Sequence, residues 1–452
     1  MRLFKTNFYP LLLLAIPLAL TGLLESSVFF FETLFLARLG PDPLAAGALV
    51  SWLFGTFAVI LFGSLSAINI LVAQKHGAQN KEGIALVVRD GFWLALLFFI
   101  PSVLLFWNMP SLFLLFGQNP SIVKIATPYL HALVWGLFPD LIMIVLLEVI
   151  IGLGHARLIL IFSLLYVSLT VFFSFALIFG RYGFPALGVA GAGWGTSISY
   201  WIAGTLLTIY FFTNNEYKHY TRHIFTFTKL SYMLELLKIG APMGLMYCIE
   251  VGFFFVLTLM MGSLGSQLLA ANQIALQYMG SLMAVVFSIA QAITVRMGHL
   301  LGAGDLPSAE RAAYAGVSIT IGFMIIIAIC YWIFPTPLIA IDLDIHSPHN
   351  AKIIRFATNF LSICAIFQIF ESTRIALFGA LRGLKDTRFT LIISMVSFWG
   401  IALPVGYLLS TRFGLTGAGL WWGMVVGALS SVPLLFWRFK LKIRDYLHVS
   451  SH

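Results

Sequence analysis

Thr33-Leu34-x4-Leu39-Gly40-x3-Leu44-Ala45-Ala46 returns 225 residues later as Thr258-Leu259-x4-Leu264-Gly265-x3-Leu269-Ala270-Ala271. Two further stretches repeat at nearly the same distance. Gly152-Leu153-Gly154-His155-Ala156-Arg157 matches Gly383-Leu384-Lys385-Asp386-Thr387-Arg388, and Gly191-Ala192-Gly193 matches Gly417-Ala418-Gly419. An offset that drifts by only about six residues over three places identifies two tandem copies of one unit.

What each copy is made of follows from composition. Of the 452 residues, 60% are hydrophobic and 10% charged, against a soluble average of about 25% charged. This is an integral membrane protein, and at about 20 apolar residues per helical span plus a connection it holds about a dozen spans. Apolar segments run over 9–38, 45–73, 91–116, 124–152, 157–180, 187–213, 239–263, 268–300, 312–338, 354–380, 388–410 and 415–438. Gly, Pro and charged residues interrupt them. The expected fold is therefore an all-α polytopic membrane protein of twelve transmembrane helices, in two tandem six-helix lobes with pseudo-two-fold symmetry. An even number of spans per copy inserts both in the same orientation. The expected organisation is an N-terminal lobe over 1–213, a cytoplasmic inter-lobe loop over 214–238, a C-terminal lobe over 239–438 and a basic tail over 439–452. The start of the chain reads as a retained first span, because its apolar run continues to Leu39 with no small-residue cleavage site.

The net charge of +9 is dispersed in short pieces between apolar runs, which speaks against nucleic-acid binding. Six basic residues (Arg38, Lys124, Arg181, Lys352, Arg355, Arg412) fall on one side of the alternating loops, Arg374 lies inside a span, and the rest fall on the side of the N-terminus. That bias places both termini and the central loop in the cytoplasm. Cys248, Cys330 and Cys364 all lie in apolar stretches and read as packing residues rather than disulfide or metal partners. There is no phosphate-binding loop, HExxH, GxSxG or paired CxxC, so ATP hydrolysis and metal or serine hydrolase chemistry are disfavoured. No cofactor and no obligate protein partner are expected. The one segment that could serve a membrane enzyme, 335–355 with Asp342, Asp344, His346 and His349, reads more simply as a solvated loop.

The informative residues are acids inside spans: Glu25, Glu32, Asp140, Glu148, Glu250 and Glu371. A charged residue at a helix centre costs about 2.5–3.5 kcal/mol on insertion scales unless it faces a cavity or a partner. The repeat pairs Glu25 with Glu250 and Asp140 with Glu371, whereas Glu32 has Leu257 as its equivalent. Thr21, Glu25 and Glu32 share one stripe of the first helix, and Gln368, Glu371 and Arg374 share one of the tenth. Arg374 is either a substrate or gate residue or the fixed partner of Glu371. Glu148, near the cytoplasmic end of its span, is expected to reach water. The pairs Gly191/Gly195 and Gly419/Gly423 are expected close-packing sites.

These features resemble the multidrug and toxic compound extrusion (MATE) family, in particular its NorM-like branch. The resemblance runs through Phe31-Glu32-Thr33, Leu264 to Ala275, Arg296 to Asp305 and Ala380 to Asp386. It implies an antiporter that exports small cationic, amphipathic compounds across the plasma (inner) membrane against Na⁺ or H⁺, and confers antibiotic resistance. By position it implies cation coupling at Glu32, Thr170, Ser174, Glu250 and Glu371, with Na⁺ at Glu250 and Glu371. It implies substrate binding at Tyr247, Glu250, Gln277, Phe367 and Glu371. Thr170 and Ser174 stand where the branch often has Asn, and Phe367 where it has an aromatic hydroxyl. Glu25 and Asp140 are accessory acids, Glu25 being one that the family pattern does not include. The alternative, a lipid-linked oligosaccharide flippase of the same superfamily, calls for a cluster of cavity Arg and Lys, and only Arg374 lies within a span.

Overall fold

The computed structural model describes residues 8–224, 226, 230–344 and 347–450, and they form a helical membrane protein. In chain order the helices are α1 (Tyr9–Ala37), α2 (Pro41–Leu65), α3 (Ala67–Gly77), α4 (Lys81–Leu115), α5 (Pro120–Val134), α6 (Leu137–Leu153), α7 (Ala156–Phe179) and α8 (Val189–Thr213). After the central segment come α9 (Met233–Leu264), α10 (Ser266–Gly302), α11 (Leu306–Ile333), α12 (Pro335–Asp342), α13 (Ala351–Gly383), α14 (Thr387–Met395), α15 (Leu403–Thr411) and α16 (Thr416–Ser450). A π-helical stretch, Val396–Ala402, joins α14 to α15.

Among the described residues, ten helices are long and apolar enough to cross a membrane, counting α2 with α3 and α14 with α15 as single spans. An eleventh crossing is the pair α5 and α6, bent by 51° between Val134 and Leu137. The twelfth expected span is α8, whose 25 residues reach about 38 Å at 1.5 Å per residue. Its Gly, Ser, Thr and Tyr residues lower its apolarity, because one face packs closely on a neighbour and another is polar. The helix of the last span, α16, runs on without a break at 438 as far as Ser450. His346, named above for the 335–355 segment, and the side chain of His349 lie outside the described residues.

The repeat is visible in the backbone. Left-handed φ values recur at equivalent places: Gly40 (123°) and Gly265 (139°), Gln79 (55°) and Gly304 (79°), Gly154 (88°) and Lys385 (59°). The first pair turns the chain between the first two spans of each copy, where a Cβ would be strained. The helix after the second pair is capped in both copies: the Asn80 side chain accepts from the Gly83 N–H at 2.7 Å, and Asp305 accepts from the Ser308 N–H at 3.1 Å. Those caps satisfy amides that the first turn leaves without partners.

Packing divides the chain into two compact units, Leu20–Gly244 and Met1–Ala19 with Leu245–His452, here the N-terminal and C-terminal units. Both seams lie inside helices at equivalent points of the repeat, two residues beyond Pro17 in α1 and Pro242 in α9. Phe35, Phe106 and Tyr129 belong to the core of the N-terminal unit, and Phe253, Phe360, Phe398 and Trp421 to that of the C-terminal unit. The described part of 214–238 is no free linker. Tyr217 and Tyr220 are buried, the Tyr217 hydroxyl lies 2.6 Å from His155 Nδ1, and the buried Asp90, paired with Arg89, accepts from the Tyr232 N–H at 2.6 Å.

Lipid tails give helices little hydrophobic reason to associate, so close backbone approach matters. A Cβ on Gly191 would come within 2.6 Å of the α7 backbone at Leu177 and Ile178, and one on Gly195 within 2.5 Å of Ser174. In the second copy, a Cβ on Gly419 would lie 2.4 Å from Ser410 N and one on Gly423 2.5 Å from Gly406. The expected close-packing sites are in place.

Thermal unfolding in detergent should therefore separate two glycines. Gly423→Leu should lower stability by at least about 1–3 kcal/mol, the usual penalty of overpacking, while Gly322→Ala, with open space around it, should leave it unchanged or slightly higher. The Asp305 cap gives a pH-dependent case. The Ser308 hydroxyl and N–H hold its carboxyl below the usual carboxylate range. A depressed folded-state pKa contributes stability above the ordinary value, and that contribution fades as pH falls through the folded one. Asp305→Ala should cost about 1 kcal/mol at neutral pH and progressively less below about pH 4.

Candidate functional site

The N-terminal unit encloses a cavity of about 520 Å³. Helix α1 supplies Glu25 and Glu32 to its wall, and α6 supplies Asp140. Seven residues separate the two glutamates, so the α1 stripe places them about 10 Å apart along the axis. The opposing helices bring hydroxyls. Glu25 Oε1 accepts from Ser163 Oγ of α7 at 2.9 Å. Glu32 Oε1 accepts from Thr196 Oγ1 of α8 at 2.9 Å, and its Oε2 from the Tyr129 hydroxyl of α5 at 3.1 Å. The Tyr200 hydroxyl faces Asp140, and the Tyr200 ring stacks on Tyr166 with centroids 4.8 Å apart. Phe29, Phe54 and Phe62 add apolar wall. No Lys, Arg or His stands among the described residues that line this space.

The hydroxyls expected beside Glu32 are elsewhere. Thr170 donates to the Tyr166 carbonyl one turn back on its own helix at 2.9 Å, and Ser174 lies buried under Gly195; neither lines the cavity. Short hydroxyl side chains readily bond to their own helix backbone, and here that removes Thr170 from the site. Tyr129 and Thr196 take the places expected for the pair. The sequence carries a trace of this, since Thr196 and Tyr200 stand at i and i+4 and share one face of α8. Glu148 does not reach water: it is buried and accepts from Asn69 Nδ2 at 2.6 Å.

In the C-terminal unit the acids are differently matched. Arg374, fully buried, donates from Nη1 to Glu250 Oε1 at 2.9 Å and from Nε to Glu371 Oε2 at 2.8 Å, and its Nη2 bonds the other Glu371 oxygen. Ser394 Oγ lies 2.9 Å from Nη1 and donates to Glu250 Oε1 at 2.9 Å. The rings of Phe378 and Phe398 lie over the guanidinium at 4.6 and 4.7 Å. Arg374 is thus the fixed partner of Glu371, and of Glu250 as well; the expectation of a diffusible cation there meets a guanidinium already in place. The other expected substrate residues do not gather around this triad. Gln277 is exposed and donates to Asp342 at 3.3 Å, Phe367 is fully buried edge-on against Trp421, and the Tyr247 hydroxyl accepts from Arg382 at 3.1 Å. Among the described residues, no three His, Cys, Asp or Glu side chains converge as a metal site.

Two repeated bundles of membrane-crossing helices, with carboxyl groups held inside the spans, define a polytopic membrane transporter. The MatE family model matches residues 17–176 and 242–408, once in each copy of the repeat. The probable multidrug resistance protein NorM of Brucella suis is 31% identical over 441 residues, covering 96% of this chain and 92% of that protein. The multidrug resistance protein NorM of Burkholderia vietnamiensis is 33% identical over 430 residues, covering 95% and 93%. Among solved structures, an outward-facing conformation of a multidrug resistance MATE family transporter of the MOP superfamily superposes with a TM-score of 0.89 at 18% identity, covering 99% of this chain and 98% of that one. A MATE crystal structure in a bent conformation gives 0.90 at 18% identity, covering 100% and 99%. The chain belongs to the MatE family and is a transporter, not an enzyme.

Removing one member of a buried ion pair strands the other, at about 3–5 kcal/mol. Arg374→Gln should lower the melting temperature markedly, whereas the triple change Arg374→Gln, Glu250→Gln, Glu371→Gln should recover most of the loss. Equal melting of the single and triple variants would remove the triad from the structure's stabilising contacts.

Proposed function

We propose that the protein is a secondary active multidrug efflux antiporter of the inner membrane, with both termini cytoplasmic, exporting cationic amphipathic compounds in exchange for Na⁺ or H⁺. One observation carries this reading: three carboxyl groups, Glu25, Glu32 and Asp140, share one cavity whose wall is otherwise apolar or hydroxylic, with no basic residue among the described residues that line it. A negative, apolar chamber inside a membrane suits a cargo with positive charge and apolar bulk, and disfavours the pyrophosphate of a lipid-linked oligosaccharide.

Exchange follows from competition. Carboxylates removed from water require a counter-charge, whether a proton, a metal cation or a cationic substrate. If ion and substrate occupy the same carboxylates in turn, binding of one releases the other, and each must favour a different conformational state for net transport. Glu32 is the central group in this scheme, because both of its oxygens are already oriented by Tyr129 and Thr196. Glu25, exposed at the same wall, forms with Asp140 a second acidic position. The NorM relatives, named for multidrug resistance, support a broad cargo range.

The test is ethidium efflux from cells stripped of their own exporters, with the Na⁺ and proton gradients set independently. The wild type should export ethidium under at least one cation gradient. Glu32→Gln, similar in shape but unable to alternate its charge, should lower that rate by tenfold or more at matched expression. Normal efflux in Glu32→Gln would refute the assignment of the cavity, and no efflux under any gradient would refute antiport altogether.

A further inference from the structure

The two units hold their embedded acids in opposite electrostatic states. In the N-terminal unit Glu25, Glu32 and Asp140 face open volume, and their partners among the described residues are hydroxyls: Ser163, Thr196 with Tyr129, and Tyr200. In the C-terminal unit Glu250 and Glu371 converge on a cation that belongs to the chain. We propose that Arg374 is the resident cation of the C-terminal unit: it holds the place between Glu250 and Glu371 that a diffusible ion would need, and so confines ion exchange to the cavity of the N-terminal unit. The inference rests on the antiport reading for its consequence in transport, but its structural content stands on Arg374 alone.

The position between the two carboxylates is already taken by the guanidinium. All three guanidinium nitrogens are engaged, two on Glu371 and one shared between Glu250 and Ser394. Two rings pack against it, Phe378 one turn along α13 at 4.6 Å and Phe398 of the π-helical stretch at 4.7 Å. Arg presents its donors in a rigid planar fork and does not lose its proton in proteins, so no change of pH empties the position. A sodium ion entering here would have to displace a charge that is tethered to the same helix as Glu371, three residues away. Being intramolecular, that charge loses no translational freedom on binding. Ser394 is committed to the same group: it accepts from Nη1 and donates its hydroxyl to Glu250, which turns its hydrogen, not a free lone pair, toward the carboxylate. Ser394 at the end of α14 and Phe398 in the π-helical stretch that follows stand four residues apart and reach the same guanidinium.

A lysine in place of Arg374 keeps a tethered positive charge but loses the fork, while a methionine keeps bulk and loses the charge. The two substitutions therefore separate charge from packing.

Equilibrium binding of radioactive ²²Na⁺ to the purified protein in detergent tests this without depending on transport. In the wild type, whatever saturable Na⁺ binding occurs should be unaffected by Glu371→Gln. Arg374→Met should expose the two carboxylates and gain saturable Na⁺ binding that Glu371→Gln then removes, and Arg374→Lys should show no such gain. Wild-type Na⁺ binding that is lost in Glu371→Gln would overturn the proposal, as would a folded Arg374→Met protein with no gain. Should Arg374→Met fail to fold, the comparison of wild type with Glu371→Gln decides alone. In parallel, ethidium efflux reports on the antiport reading. Its absence under every gradient would sink that reading while the Na⁺ measurement still decides the role of Arg374.

Discussion

A carboxyl group in the middle of a lipid-spanning helix must find a partner, and much of the internal chemistry of this protein is a response to that requirement. Hydration is unavailable in hydrocarbon, and a lone carboxylate there is strongly disfavoured. The N-terminal unit answers with hydroxyls from α5, α7 and α8 around a hollow. The C-terminal unit answers with a guanidinium packed against phenyl rings. Two copies of one helical plan therefore carry two electrostatic solutions, one built on hydroxyls and one on a tethered cation.

The plan itself is written plainly in the sequence, because its determinants are local. Apolar runs of span length, glycines that demand a left-handed turn, and a cap such as Asn80 or Asp305 each act within a few residues. Their recurrence at a constant offset reveals the duplication without any knowledge of three-dimensional neighbours. What resists reading is curvature and closeness. The 51° bend between α5 and α6 and the π-turn before α15 change where side chains point without changing their apolarity. Helix α8 hides its membrane-crossing character because its small and polar residues serve neighbouring helices rather than lipid.

The site divides along the same line. That acids lie within spans is visible from composition alone, and spacing correctly links Arg374 to Glu371 one turn away. That Glu250, 124 residues earlier, joins them depends on the approach of α9 to α13, which no periodicity encodes. Thr170 and Ser174 mislead for a related reason: a hydroxyl in a span can satisfy itself on its own helix, and position along the chain does not say which way it turns. Tyr129 and Thr196 become partners of Glu32 only through the packing of α5 and α8, and α8 comes close enough to α7 only because Gly191 and Gly195 lack side chains.

The Arg374 triad also bears on biogenesis. Because Glu371 and Arg374 sit three residues apart, the two charges in the middle of α13 leave the ribosome already able to neutralise each other, while Lys352, Arg355 and Arg382 lie toward its ends. Glu250 has no such companion on α9. That helix is synthesised more than a hundred residues earlier, so its acid waits in the nascent bundle until α13 arrives. The order of synthesis thus puts the acid of α9 in the membrane before its partner, and α13 brings that partner when it follows.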